Sequence, residues 1–94
     1  MAIEVRIPTI LRSYTSGAKS VQGSGSTLGE LLINLDAAHG GLRERLVDGE
    51  NLRRFVNVYL NDEDVRFLGG LETPVADGDT VTVLPAVAGG SASA

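Results

Sequence analysis

Only one stretch of this chain carries a sustained helical period, and that stretch limits what the rest can do. Leu28, Leu31, Leu32 and Leu35 recur at three- and four-residue spacing, which lines one face of a helix with leucine through roughly Ala38. Thr27 followed by Glu30 fits a capping box: the hydroxyl takes one orphan amide and the carboxylate reaches back. Gly40 and Gly41 supply the stop, because glycine readily takes the left-handed conformation just past a helix end. One amphipathic helix cannot bury its own apolar face. Its cover must come from the strand-like segments on either side.

Those segments are legible from their alternation. Ile3, Val5 and Ile7 alternate with Glu4 and Arg6, the period of a strand with one buried face. Pro8 limits how far its ladder runs. Ser13 to Gly17 is rich in turn formers, and Ala18 to Gln22 returns as a second strand, closing a hairpin before Gly23-Ser24-Gly25 punctuates. Beyond the helix, Leu42 to Val47 forms a further short turn. Arg54 to Leu60 is rich in β-formers, with Val56, Val58 and Leu60 on one side and Phe55, Asn57 and Tyr59 on the other. Asn61 to Asp64 reads as a turn into a short strand at Val65 to Phe67, broken by Gly69-Gly70. Asp77-Gly78-Asp79 then turns into a last strand, Thr80 to Leu84. With a hairpin at each end and one helix between, the helix packs across a mixed sheet whose first and last strands lie side by side and parallel. The expectation is an α+β fold, a ubiquitin-like β-grasp over residues 1–84, with residues 85–94 as a flexible tail.

Size and charge exclude several classes of function. A chain of 94 residues buries about 60–65% of its unfolded surface, enough for one core and no large enclosed active site. The net charge of −4 argues against nucleic-acid binding, which needs a basic face to replace counterions, and suits docking on a basic partner. Cysteine is absent, which removes disulfides, iron–sulfur clusters, thiolate zinc sites and thiol nucleophiles. Met1 to Arg6 lacks the basic and apolar regions of a signal peptide, and no apolar run is long enough to span a bilayer, so the cytoplasm is the expected compartment. His39, the single histidine, cannot anchor a zinc site with no cysteine beside it; its place near a helix end suits it to complement the dipole. Asp62-Glu63-Asp64 and Asp77-Gly78-Asp79 lack EF-hand spacing and read as turn chemistry. Gly23-Ser24-Gly25 has no following Gly-Lys pair to make a phosphate loop, and Ser13, Thr15 and Ser20 have no base arranged around them. The expectation is a protein with no catalytic set, no metal site and no bound cofactor.

The chemistry lies at the far end. Leu84 and Pro85 lead into Ala86-Val87-Ala88-Gly89-Gly90, followed by Ser91-Ala92-Ser93-Ala94. Paired glycines can thread a channel too narrow for side chains, which an enzyme activating a main-chain carboxylate requires. Six extended residues from Pro85 to Gly90 reach about 20 Å. Pro85 stiffens the exit and Val87 offers one apolar anchor. Since Gly90 is joined to Ser91 by a peptide bond, the chain as written is a masked precursor.

A β-grasp ending in Pro85-Ala86-Val87-Ala88-Gly89-Gly90 resembles the ThiS/MoaD family of ubiquitin-like sulfur carriers. The stretches Ile7 to Arg12 and Arg54 to Phe67 resemble the branch of that family that serves cysteine biosynthesis, and the resemblance covers nearly the whole chain up to Gly90. It implies a protein co-substrate and not an enzyme. An ATP-dependent adenylating enzyme, related to ubiquitin-activating enzymes, would adenylate the Gly90 carboxylate beside Gly89, and a sulfur donor would convert the adenylate to a thiocarboxylate. In the cysteine branch the sulfur passes to an activated serine derivative on a pyridoxal-phosphate synthase, and a JAMM-type zinc protease releases the product. ATP belongs to the activating enzyme. The diglycine is usually terminal in such carriers, so the resemblance also implies cleavage between Gly90 and Ser91. Pro85, Ala86, Val87 and Ala88 form the recognised tail segment, and Phe55 with Tyr59, on the sheet face away from the helix, is either a docking patch or a cross-strand pair. Two other functions use the same features: a ubiquitin-like modifier joined to lysines through Gly90, and a MoaD-like small subunit of molybdopterin synthase.

Overall fold

The computed structural model describes residues 2–49, 51–54 and 56–85. Strand β1, Ile3–Arg6, buries Ile3 and Val5 and turns Glu4 and Arg6 outward. After Pro8 the chain winds through a 3-10 helix, Thr9–Thr15, and returns as β2, Ser20–Gly23, antiparallel to β1 with Val5 opposite Val21. Helix α1, Leu28–Ala38, follows, then a short α2, Leu42–Leu46. Strands β3, Val47–Asp48, and β4, Asn51–Leu52, make a separate two-stranded hairpin. Strands β5, Val56–Leu60, β6, Glu63–Asp64, and β7, Thr80–Pro85, complete a five-stranded sheet in the order β2-β1-β7-β5-β6. As expected, β1 and β7 are parallel neighbours, with Val5 opposite Val81, while β5 and β7 are antiparallel, with Val58 opposite Val83.

The core lies between one face of this sheet and α1. Leu28, Leu31, Leu32 and Leu35 of the helix are buried against Ile3, Val5, Val58, Val81 and Val83 of the sheet. Gly23 shows how closely the two layers approach, since a Cβ there would stand 2.8 Å from the side chains of both Leu31 and Leu35. The glycine read as punctuation is therefore the inward-facing end of β2, held small by the helix above it. Leu32 is only 1% exposed, so Leu32→Ala should cost about 2–5 kcal/mol and lower the melting temperature by about 10 °C or more. A variant that melts with the parent in a calorimetric scan would contradict this packing.

Three local details differ from expectation. Thr27 Oγ1 accepts from the Glu30 amide at 3.2 Å as a cap should, but the Glu30 carboxylate takes the amide of Ser26 at 2.9 Å, one residue earlier than a capping box requires. The helix ends on His39, whose amide bonds to Leu35 O at 2.7 Å. Of the two glycines after it, the left-handed one is Gly41, with φ of 93°, and it opens α2. The Asp36 carboxylate accepts from the amides of Gly41 and Arg43 and so fixes α2 against α1. The expected strand at Val65 to Phe67 is a 3-10 turn instead, capped by Asp64, whose carboxylate accepts from the Arg66 amide at 2.9 Å. The pairing falls on Glu63 and Asp64 because Asn61 and Asp62 are both left-handed, the tight two-residue turn that returns the chain at once. Among the described residues no helix is long and apolar enough to cross a membrane.

Candidate functional site: the exit of the carboxyl-terminal strand

Strand β7 sits between β1 and β5, and Val81 and Thr82 are paired on both sides. The pairing changes near the strand's end. Pairing with β1 stops at Arg6 opposite Thr82, while pairing with β5 continues through Leu84 opposite Asn57 and Pro85 opposite Val56. At Pro85 the strand is effectively an edge, where a proline is tolerated in a ladder. The start of β5 is itself pinned by Arg66, which donates from Nη1 to Asn57 Oδ1 at 2.8 Å and from Nη2 to the carbonyls of Arg53 and Val56. A rigid body thus presents Pro85 at one end of the sheet.

Of the residues the sequence singled out, Pro85 is the last described. Ala86, Val87, Ala88, Gly89, Gly90 and Ser91, with the cleavage point between the last two, lie outside the described residues, and so does Phe55. Tyr59 is half-buried on the outer face of β5, opposite Asp64 and beside Thr82. It shares a sheet with Pro85 but sits further along β5, away from the exit.

What surrounds the exit was not evident in the sequence. The 3-10 helix after Pro8 carries Ile10 to the end of the sheet beside Leu84, and both stay exposed, at 68% and 45%. Pro8, Ile10, Leu84 and Pro85 form a ridge shared by two open grooves. One groove lies toward the outer face of the sheet and is lined by Arg6, Arg12 and Lys19. The other is floored by Leu11, Val56 and Val83 and lined by Tyr14, Arg45 and Arg53. The turn that positions Ile10 is held by Thr15, buried between the carbonyls of Arg12 and Ala18 at 3.2 and 3.0 Å. The only available signal was Ile10 itself, an apolar residue standing beyond the alternation of the first strand.

This arrangement places Pro85 on the ridge between two open grooves. Residues 5–90 match the model of the ThiS family. The chain belongs to the ThiS family. The matched span starts in β1 and stops on Gly90, with Ser91 to Ala94 beyond it. Sulfur carrier protein CysO of Mycobacterium tuberculosis is 59% identical over 93 residues, spanning 96% of this chain and 100% of that one. Small archaeal modifier protein 3 of Haloferax volcanii is 37% identical over 93 residues, with the same coverage. The fold superposes with a TM-score of 0.90 on a chain of the BexX/CysO complex of Amycolatopsis orientalis, at 58% identity, covering 95% of this chain and 100% of that one. As a ThiS-family member with a ubiquitin-like β-grasp, the chain has the fold its sequence led us to expect.

Proposed function

We propose that this protein is a sulfur carrier, a co-substrate that other enzymes load and unload. The observation that carries the reading is the end of the family match on Gly90, the second glycine of a pair five residues past a strand locked into the sheet. Identity to a mycobacterial sulfur carrier over its whole length supports it.

The chemistry runs in successive steps. A protease hydrolyses the Gly90–Ser91 bond, which frees the Gly90 carboxylate. An activating enzyme joins that carboxylate to the α-phosphate of ATP, releasing pyrophosphate and leaving an acyl-adenylate. A sulfur nucleophile then displaces AMP and leaves a thiocarboxylate, whose sulfur attacks an acceptor on a synthase that uses pyridoxal phosphate. A JAMM-type zinc protease then hydrolyses the product, cysteine or another sulfur metabolite, from the carrier and returns the Gly90 carboxylate. A carboxylate is a poor electrophile and the adenylate a good one, so the partner supplies the driving force. The carrier supplies placement: Pro85 to Ala88 are the segment the partners read, and Gly89 with Gly90 are the thread. All of this takes place in the cytoplasm, and the outer face at Tyr59 serves as a secondary contact.

A second reading has one observation in its favour. The likeness to an archaeal small modifier is compatible with attachment of Gly90 to lysines of other proteins, because the same activation precedes both outcomes. Supplying Gly90-ended protein with its activating enzyme, ATP and sulfide tests the carrier reading: intact-mass analysis should find the oxygen-to-sulfur exchange at the terminus. Isopeptide-linked ladders in extract, with no thioacid formed, would instead support the modifier.

A further inference from the structure

We infer that the grooves flanking the tail exit are a docking surface for a partner whose channel mouth is rimmed with Asp and Glu around an apolar seat. The inference rests on the carrier reading, since the partner meant is the one that admits the tail.

Charge is segregated in this molecule. Among the described residues, five of the eight Lys and Arg line the two grooves, Arg6, Arg12, Lys19, Arg45 and Arg53, against a single acidic residue, Glu4. The excess of acid that gives the whole chain its charge of −4 therefore lies elsewhere. The surface that must meet a partner first is the basic one. Net charge predicted a basic partner; the local field at the exit selects an acidic one.

The arginines are also prepared for the encounter. Arg12 donates from Nε to Ile7 O at 3.2 Å, Arg53 from Nε to Glu44 O at 2.7 Å, and Arg45 from Nε to the Tyr14 hydroxyl, with its guanidinium 5.5 Å from the Tyr14 ring centre. In each case the chain is anchored near its head. No Nη atom of these three has a hydrogen bond or ion pair among the described residues. Each guanidinium keeps its terminal pair of donors for a carboxylate, the geometry that planar bidentate recognition uses. Arg66 shows the contrast: its Nη atoms are consumed by Asn57, Arg53 and Val56, and its work is structural. Holding the heads in place beforehand lowers the entropy lost on binding. Between them the exposed Ile10 and Leu84 give the partner an apolar seat beside the emerging tail.

The experiment compares Gly90-ended parent, the triple variant R12Q/R45Q/R53Q, and Ser24→Asp as a control. Ser24 is exposed, just past β2, at the opposite end of the sheet. Each is given activating enzyme, ATP and sulfide over a range of salt. The triple variant should raise KM at least about tenfold at low salt, leave kcat in place and flatten the salt dependence, while Ser24→Asp behaves as the parent. A parent that never acquires a thiocarboxylate sinks the carrier reading. A parent that does, with a triple variant matching it at every salt concentration, sinks only the docking surface. Circular dichroism checks that the variant folds. Independently of any variant, a polyglutamate peptide titrated into the parent should shift the amide signals of residues 9–14, Arg45, Arg53 and Leu84. Shifts centred elsewhere, or produced equally by an oligouridylate, would overturn the acidic-protein assignment.

Discussion

Protein ending at Gly90 should acquire a thiocarboxylate from an activating enzyme, ATP and sulfide, whereas the full chain should yield no detectable product. The difference is close to all-or-none because it is chemical. In the full chain the Gly90 carbonyl is an amide to Ser91, which offers no oxygen anion to the α-phosphate of ATP. The carboxylate at Ala94 stands four residues further on, flanked by Ser93 in place of a diglycine. A channel built for the glycine thread should not draw it to the nucleotide. Mass spectrometry of timed samples measures both forms side by side. Full-length protein that gains sulfur as fast as the truncated form, with its mass otherwise intact, would remove the idea of a masked precursor.

Replacing Gly90 by alanine in the truncated protein should lower the rate of adenylation by about a hundredfold and leave the melting curve in place. The change removes no side chain, because glycine has none, so the thermal curve is expected to remain that of the described core from Ile3 to Val83. The added methyl, however, sits beside the carbonyl that must reach the nucleotide, and it narrows the backbone conformations open to a threaded chain. Pyrophosphate release follows the rate and a thermal scan follows the fold. Equal adenylation of the two forms would defeat the threading argument; a fall of several degrees in melting temperature would return the diglycine to a structural role.

The fold was legible wherever one periodicity dominated. The leucines of α1 and the alternation of Ile3, Val5, Val81 and Val83 each bury one face, and a register slip of one residue would have exposed all of them. Less legible were features set by contacts distant in sequence. The β3–β4 hairpin spans two residues per strand, too short for alternation to register. The turn at Val65 to Phe67 has the composition of a strand, and becomes 3-10 because the left-handed pair Asn61 and Asp62 brings the pairing forward to Glu63. The diglycine was visible as a pair of residues past the last strand, and the family match ends on its second glycine. The basic collar was not visible. Arg12, Arg45 and Arg53 come from three separate segments, and only the packing of the Thr9–Thr15 helix against α2 and the end of β7 sets them around one exit. Net charge, a sum over the whole surface, pointed to the opposite kind of partner.

The carrier reading as a whole turns on the state of one atom, and that atom can be weighed. Protein isolated from its own cells and analysed intact by mass spectrometry should end at Gly90, with a fraction carrying sulfur in place of one carboxyl oxygen. That fraction should fall when the cells are starved of sulfur. Protein that retains Ser91 to Ala94 throughout, with no thioacid under any sulfur supply, would contradict the account.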